Sequence, residues 1–338
     1  MKAIYCESFS PDGSGLSLRE VERPSPKSGE VLVKVECSSV HPADVMMIGG
    51  TYSRGAELPF RVGLTGVGRV VERRGGGLAA RLIAGRRVVF ALPEGRFGTW
   101  AEYATTQPSL CFPLADALPS SAAVNLLSNG ASAIGLAQRV RELNGKGAVV
   151  TAAAGDLGRL VRAALHQRGR SVLAIVRREG QAAQLRDAGE RHVLASESPS
   201  FGDELARIAR ALELRTAVDM VAGTMPSRLL TALPPGSTVI AVGRLAGAPI
   251  EVDAMEPLIA RGGRIEGFNV GHWFDGKPLP AAVLALMRAQ RLLLASPSPP
   301  PLRRFGLGEL VARFAEALGS TTGGKTLVEV GGPSRERS

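Results

Sequence analysis

Lys146-Gly147-Ala148-Val149-Val150-Thr151-Ala152-Ala153-Ala154-Gly155-Asp156-Leu157-Gly158 is the stretch on which the fold turns. Residues 148–154 are small or β-branched, as a buried central strand of a parallel sheet requires. The strand breaks into a tight glycine turn, and a helix is expected to open at Gly158. Ala152, Gly155 and Gly158 form an A-x-x-G-x-x-G pattern, a variant of the dinucleotide fingerprint. Small residues let the backbone approach a pyrophosphate, and the N-terminus of the helix offers it free N–H groups. Ala154, Gly155, Asp156, Leu157 and Gly158 are therefore candidate cofactor contacts. Asp156 brings a negative charge into that turn, and its expected role is to cap the helix with its side chain turned from the phosphates.

Outward from this turn, the pattern repeats. A helix is expected over 158–168, a strand over 171–176, a helix near 181–188 and a short apolar run at 191–194. Strands near 216–221, 238–242 and 264–268 follow, with a helix over 226–233. Repeated β-α alternation predicts a doubly wound parallel sheet. Helical periodicity covers 121–143. Residues 1–120 differ: short strands at 29–37, 68–72 and 87–90 are punctuated by Gly and Pro, which predicts a partly open, mostly antiparallel β module. Residues 278–330 hold two helical patterns and a last strand, 325–330, expected to return to that module. Residues 295–301 read as an extended connector and 331–338 as a polar tail. The expected division is 1–120 with 270–338 for the β module and 121–269 for the nucleotide-binding domain.

The 338 residues suffice for two cores. No run is apolar enough to cross a bilayer, and no apolar segment follows Met1-Lys2-Ala3-Ile4-Tyr5 as in a secretory signal, so a cytoplasmic location is expected. Three scattered cysteines, Cys6, Cys37 and Cys111, argue against a disulfide framework or a structural zinc cluster. The net charge of +10 suits a phosphate-rich cofactor or an acidic carrier protein. Its scattered distribution, without an aromatic-and-basic stripe, argues against nucleic acid.

Several motifs together resemble the medium-chain dehydrogenase/reductase superfamily. His41-Pro42-Ala43-Asp44 with Gly50-Thr51-Tyr52 is similar to its N-P-x-D…G-x-Y, and Gly63-Leu64-Thr65-Gly66-Val67-Gly68 to its G-x-E-G-x-G. Gly98-Thr99-Trp100-Ala101-Glu102-Tyr103, Asp219-Met220-Val221-Ala222-Gly223 and Gly324-Lys325 match further family motifs. The resemblance implies an α/β protein in which a Rossmann domain is inserted into a partly open, barrel-like (GroES-like) catalytic domain. Leu64-Thr65 stands where zinc-dependent members carry a His-Glu pair, so no metal is expected. Asp44 to Tyr52, residues 265–273 and Asn129-Gly130-Ala131-Ser132-Ala133 look like trans-2-enoyl thioester reductases, with quinone oxidoreductases as the competing branch.

Arg177-Arg178 follow the second strand, where an NAD site places an acid, and a guanidinium there suits the 2′-phosphate of NADPH. Solvated surface arginines are the alternative. By resemblance, Tyr52 is the expected catalytic donor to an enolate oxygen; a packing tyrosine is the alternative. His41 stands where relatives carry Asn, as a second proton donor or a steric substitute. Ser132, Val242, Gly243 and Lys325 complete the expected cofactor contacts, although Ser132 equally suits a bond to its own helix. Phe268 and Trp273 line an acyl pocket or simply pack. The implied activity is reduction of an activated double bond, of an enoyl thioester on coenzyme A or an acyl carrier protein. A quinone or enone reductase, or a non-reducing scaffold, is the alternative. The resemblance also implies a homodimer.

Overall fold

The computed structural model describes residues 1–51, 57–93, 95–96, 98–296, 303–318 and 326–330. Tyr52, Lys325 and the tail lie outside these described residues. The chain forms two compact units, Met1–Ser128 with Leu293–Ser338, and Asn129–Leu292. These boundaries fall at 128 and 292 instead of 120 and 269, which adds most of a long C-terminal helix to the second unit.

The first unit begins with β1 (Lys2–Cys6), β2 (Leu16–Glu20), β3 (Val31–Ser39), α1 (Pro42–Ile48) and β4 (Phe60–Arg61). It continues through β5 (Thr65–Arg73), α2 (Gly77–Ile83), β6 (Arg87–Ala91), β7 (Tyr103–Thr106), β8 (Cys111–Pro113) and α3 (Ser120–Ala123). The second unit holds α4 (Ala131–Glu142), β9 (Gly147–Val150), α5 (Asp156–His166), β10 (Ser171–Val176), α6 (Glu179–Asp187), β11 (Val193–Ala195) and α7 (Phe201–Ala211). After these come β12 (Thr216–Asp219), α8 (Met225–Ala232), β13 (Thr238–Ala241), β14 (Arg264–Gly267), α9 (Val270–Phe274) and α10 (Leu279–Ala295). The chain then re-enters the first unit with β15 (Arg303–Gly306), α11 (Leu307–Ala312), α12 (Phe314–Leu318) and β16 (Thr326–Glu329).

In the first unit, β2-β1-β4 form a small sheet, and β15-β16-β3-β5-β6-β8 form a larger one with β7 also on β3. All pairings but β15 with β16 are antiparallel. The return strand β16 pairs with β3, as expected. Trp100, Ile4, Met47, Phe305 and Phe314 share the core, with the Trp100 and Phe314 rings 6.3 Å apart. Hydrophobic burial of such rings is the main stabilising term of this unit. β15 was not expected, because Arg303-Arg304 breaks the apolar alternation that announces a strand.

The second unit has the strand order β11-β10-β9-β12-β13-β14, all parallel. Succession reverses direction between β9 and β12, the switch point beside which such sheets bind ligands. β9 and β12 are wholly buried, which explains why β9 is apolar without alternation and why the polar ends of β12, Thr216 and Asp219, lie within the protein. The helical stretch expected over 121–143 is not one helix: a π-helical turn, Leu126–Gly130, separates α3 from α4. Ser128, Asn129 and Gly130 are poor helix formers, and the irregular turn sits on them.

Candidate active site

In the second unit, the candidate cofactor residues gather at the C-terminal ends of the strands. β9 ends at Val150, and Ala152 takes a left-handed conformation, φ 46°. Its carbonyl accepts from Gly155 N–H at 2.9 Å, closing the turn. Gly155 is extended (φ −74°, ψ 167°) and is the N-cap of α5, without a capping side chain. Asp156 is therefore the first helical residue and not the cap, which corrects the sequence reading. A cap must hold the extended conformation before the helix, and Gly155 already does. The Asp156 carboxylate instead complements the positive end of α5 and attracts Arg159. Burial, with Arg162 nearby, outweighs that attraction and holds Arg159 below the usual arginine range.

Gly158 has a steric reason to be glycine. A Cβ there would lie 2.4 Å from the Ala152 carbonyl oxygen and 2.8 Å from Ala153 Cα. The helix thus crosses the turn with no room for a side chain, and no backbone hydrogen bond from the amides of Asp156, Leu157 or Gly158 is found among the described residues. A dinucleotide pyrophosphate fits such a backbone cradle.

Asp219, at the end of β12, organises the neighbouring turn. Its Oδ1 accepts from Thr151 Oγ1 at 2.7 Å and from Val221 N–H at 3.2 Å, and its Oδ2 accepts from Ala222 N–H at 2.8 Å. Thr151 Oγ1 in turn accepts from Met220 N–H at 2.9 Å. Burial pushes the Asp219 carboxyl up, opposed by these hydrogen bonds. The network ties β9 to β12 across the switch point. Val242 N–H donates to the Asp219 carbonyl at 2.8 Å, so Val242 and Gly243 stand at the same end of the sheet. The motif around Asp219 was visible in the sequence; its bonding role was not.

Arg177 and Arg178 follow β10 at that end. Arg177 Nε pairs with Glu197 Oε1 at 2.7 Å. The Arg178 backbone N–H donates to Gln181 Oε1 at 3.2 Å, which starts α6, and its guanidinium has no carboxylate partner among the described residues. Glu179 is held by Arg186 and so does not neutralise Arg178. Arg178 is the better candidate for a phosphate.

Phe268 and Trp273 pack on α4. A Cβ on Gly135 would lie 2.7 Å from the Phe268 ring and 2.9 Å from the Trp273 ring. Ser132 is buried one turn earlier on the same helix face. Asn269 caps α9: its Oδ1 accepts from Gly271 and His272 N–H at 2.8 and 3.2 Å. Ala241, Gly267, Phe268, Asn269, His272 and Trp273 line a cavity of about 430 Å³ at the ends of β13 and β14. Packing and cavity lining are thus both served by these rings.

In the first unit, His41 caps α1. Its Nδ1 accepts from Ala43 N–H at 3.3 Å, and its own N–H donates to Asp44 Oδ2 at 2.8 Å. An accepting Nδ1 puts the proton of a neutral ring on Nε2. Asp44 is buried, and its Oδ1 accepts from Leu64 N–H at 3.1 Å. That carboxylate locks the start of α1 onto the turn before β5, a role that sequence reasoning missed. The Thr65 carbonyl accepts from Ser38 Oγ at 2.6 Å and Thr99 Oγ1 at 3.0 Å. Asn125 Oδ1 and Ser128 Oγ are buried without a hydrogen-bond partner among the described residues. No group of three or more metal-ligating side chains occurs among the described residues.

A family model, the alcohol dehydrogenase GroES-like domain, matches residues 27–116. The mitochondrial enoyl-[acyl-carrier-protein] reductase of Xenopus tropicalis is 27% identical over 267 residues, covering 76% of this chain and 74% of that protein. A crystal structure of a candidate NADPH:quinone reductase from Mesorhizobium loti is 29% identical, with a TM-score of 0.83 over 98% of each chain. The chain fits the zinc-free branch of the medium-chain dehydrogenase/reductases. Within it, the quinone oxidoreductase of Rattus norvegicus is 26% identical over 225 residues, covering 66% of this chain and 67% of that protein. The expected Rossmann and GroES-like architecture is therefore present in this oxidoreductase family member. No helix among the described residues is long and apolar enough to cross a membrane.

Proposed function

We propose that the chain is an NADPH-dependent reductase of an activated carbon–carbon double bond, with an enoyl thioester as substrate. The observation that carries this reading is the backbone cradle at Ala152–Gly158, with Arg178, whose guanidinium has no carboxylate partner among the described residues, at the end of the next strand. NADPH supplies a hydride when bound. The first amides of α5 meet its pyrophosphate, and Arg178 meets its 2′-phosphate by two-point hydrogen bonding. Ser132, Val242, Gly243 and Lys325 are the further proposed contacts. The similar structure from Mesorhizobium loti carries NADPH in its name.

Hydride addition at Cβ of an enoyl thioester leaves charge on the thioester oxygen, which needs a hydrogen-bond donor. Tyr52, outside the described residues, is the proposed donor, and the Nε2 proton of His41 is a second. Phe268 and Trp273 offer an apolar wall to the acyl chain. A carrier-bound substrate suits the charge of +10, since carrier proteins that are acidic approach a basic surface faster. A second copy of this chain is the proposed partner along β14, whose outer edge is unpaired among the described residues.

Quinone reduction is the second reading, favoured by the relatives named for it. Steady-state assays separate the two: crotonyl thioester and a soluble quinone are each offered with NADPH. Turnover of the thioester with a kcat/KM above that of the quinone is expected. Activity on the quinone alone overturns the thioester reading, and no turnover with either, despite NADPH binding, points to the non-reducing scaffold.

A further inference from the structure

The second unit carries a basic recess far from the cofactor turn. A cavity of about 570 Å³ is lined by Arg141, Arg168, Arg170, Arg288, Arg291 and Gln167. Arg141 ends α4, Arg168 and Arg170 lie between α5 and β10, and Arg288 and Arg291 project from α10. Arg170 Nη1 donates to the Gly145 carbonyl at 3.0 Å, just before β9, and itself precedes β10. The recess therefore sits at the N-terminal ends of β9 and β10. The Gly158 turn sits at the opposite, C-terminal end, with the length of α5 separating them.

The charge in this recess is uncompensated. None of the five arginines has a carboxylate partner among the described residues, whereas Arg87, Arg139, Arg162 and Arg313 each have one. The acid nearest in sequence, Glu142, is engaged by Gln138 at 2.8 Å and by Arg139 at 3.4 Å. Arg168 is fixed by a 2.8 Å bond to the Ala164 carbonyl. Burial first, and then Arg288 and Arg141, hold Arg168 below the usual arginine range. Five like charges converging on one concavity repel one another until an anion joins them. The volume is that of a small-molecule site, and two guanidiniums are pre-positioned by backbone carbonyls.

We propose that this recess binds a compact anion carrying two or more phosphate groups, independently of the cofactor cradle. Guanidinium forks match phosphate oxygens in two-point geometry, and several phosphates in a row engage several forks at once.

Calorimetric titration of the full chain with inorganic tripolyphosphate, ATP and orthophosphate at about 0.15 M salt tests it. Tripolyphosphate is expected to bind saturably, one per chain, and at least about tenfold more tightly than orthophosphate. Equal affinity for ATP assigns recognition to the phosphate chain, and tighter binding of ATP assigns it to a nucleotide; both support the site. Arg288→Gln with Arg291→Gln, on an exposed helix face, is expected to weaken tripolyphosphate at least about tenfold while the circular dichroism stays unchanged. Arg168→Lys, which keeps the charge and loses the fork, should weaken it less. Absence of saturable binding overturns the proposal. So does binding that survives the α10 double variant and is lost in Arg178→Ala, because the anion would then occupy the cofactor cradle.

Discussion

At the residue scale, the cofactor reading rests on differences between neighbours. Arg177 and Arg178 are equivalent in sequence, yet Glu197 holds the first and no carboxylate among the described residues holds the second. Arg178→Ala should therefore raise KM for NADPH about tenfold or more and leave KM for NADH nearly unchanged, while Arg177→Ala does much less. Initial rates with both cofactors check this. Gly158→Ala drives a methyl into the Ala152 carbonyl, a contact of 2.4 Å, and should cost about 1–3 kcal/mol in urea unfolding along with cofactor affinity. Glu190 is the residue to watch in acid. It is buried; desolvation raises its carboxyl, but hydrogen bonds from His166 and Arg162 prevail and hold it below the ordinary value. A depressed carboxylate lends stability that is fully present above its unfolded value of about 4.3 and is lost as pH falls through the lower folded value. The urea midpoint should fall in that window, and Glu190→Gln should flatten the fall. Cys37, by contrast, is pushed up to about 12 by burial and stays a thiol throughout.

At the element scale, the nucleotide half was the more legible. β9 is buried on both faces and so reads as an unbroken apolar run, β12 is equally buried but is bounded by Thr216 and Asp219, and the A-x-x-G-x-x-G spacing marked the turn. The start of α5 was displaced by two residues because a glycine can cap as readily as an aspartate, and only the dihedral angles separate them. Asp156→Ala should accordingly cost about 0.3–1 kcal/mol through the helix dipole, less than a lost cap typically does, with NADPH affinity kept or improved. Chemical denaturation with a parallel fluorescence titration measures both. The clamp roles of Asp44 and Asp219 were hidden because each carboxylate binds backbone amides brought close only by folding. The broken helix at Leu126–Gly130 and strand β15 escaped periodicity for local reasons, weak helix formers in one and adjacent arginines in the other.

At the scale of the whole molecule, motif spacing disclosed the two-unit architecture, while contacts within the second unit moved its boundary to Leu292. The edge strand β14 leads to one further expectation: sedimentation should give twice the 35.3 kDa chain mass, and Ile265→Pro should reduce it by removing an edge N–H and bending the strand. The central claim is hydride transfer to an enoyl thioester. Its most direct test is product analysis after incubation of the full chain with crotonyl thioester and NADPH carrying deuterium at the transferable position. The expected product is a saturated thioester with one deuterium at Cβ and a solvent proton at Cα. Unreduced crotonyl thioester, or a reduced product without deuterium at Cβ, would contradict it.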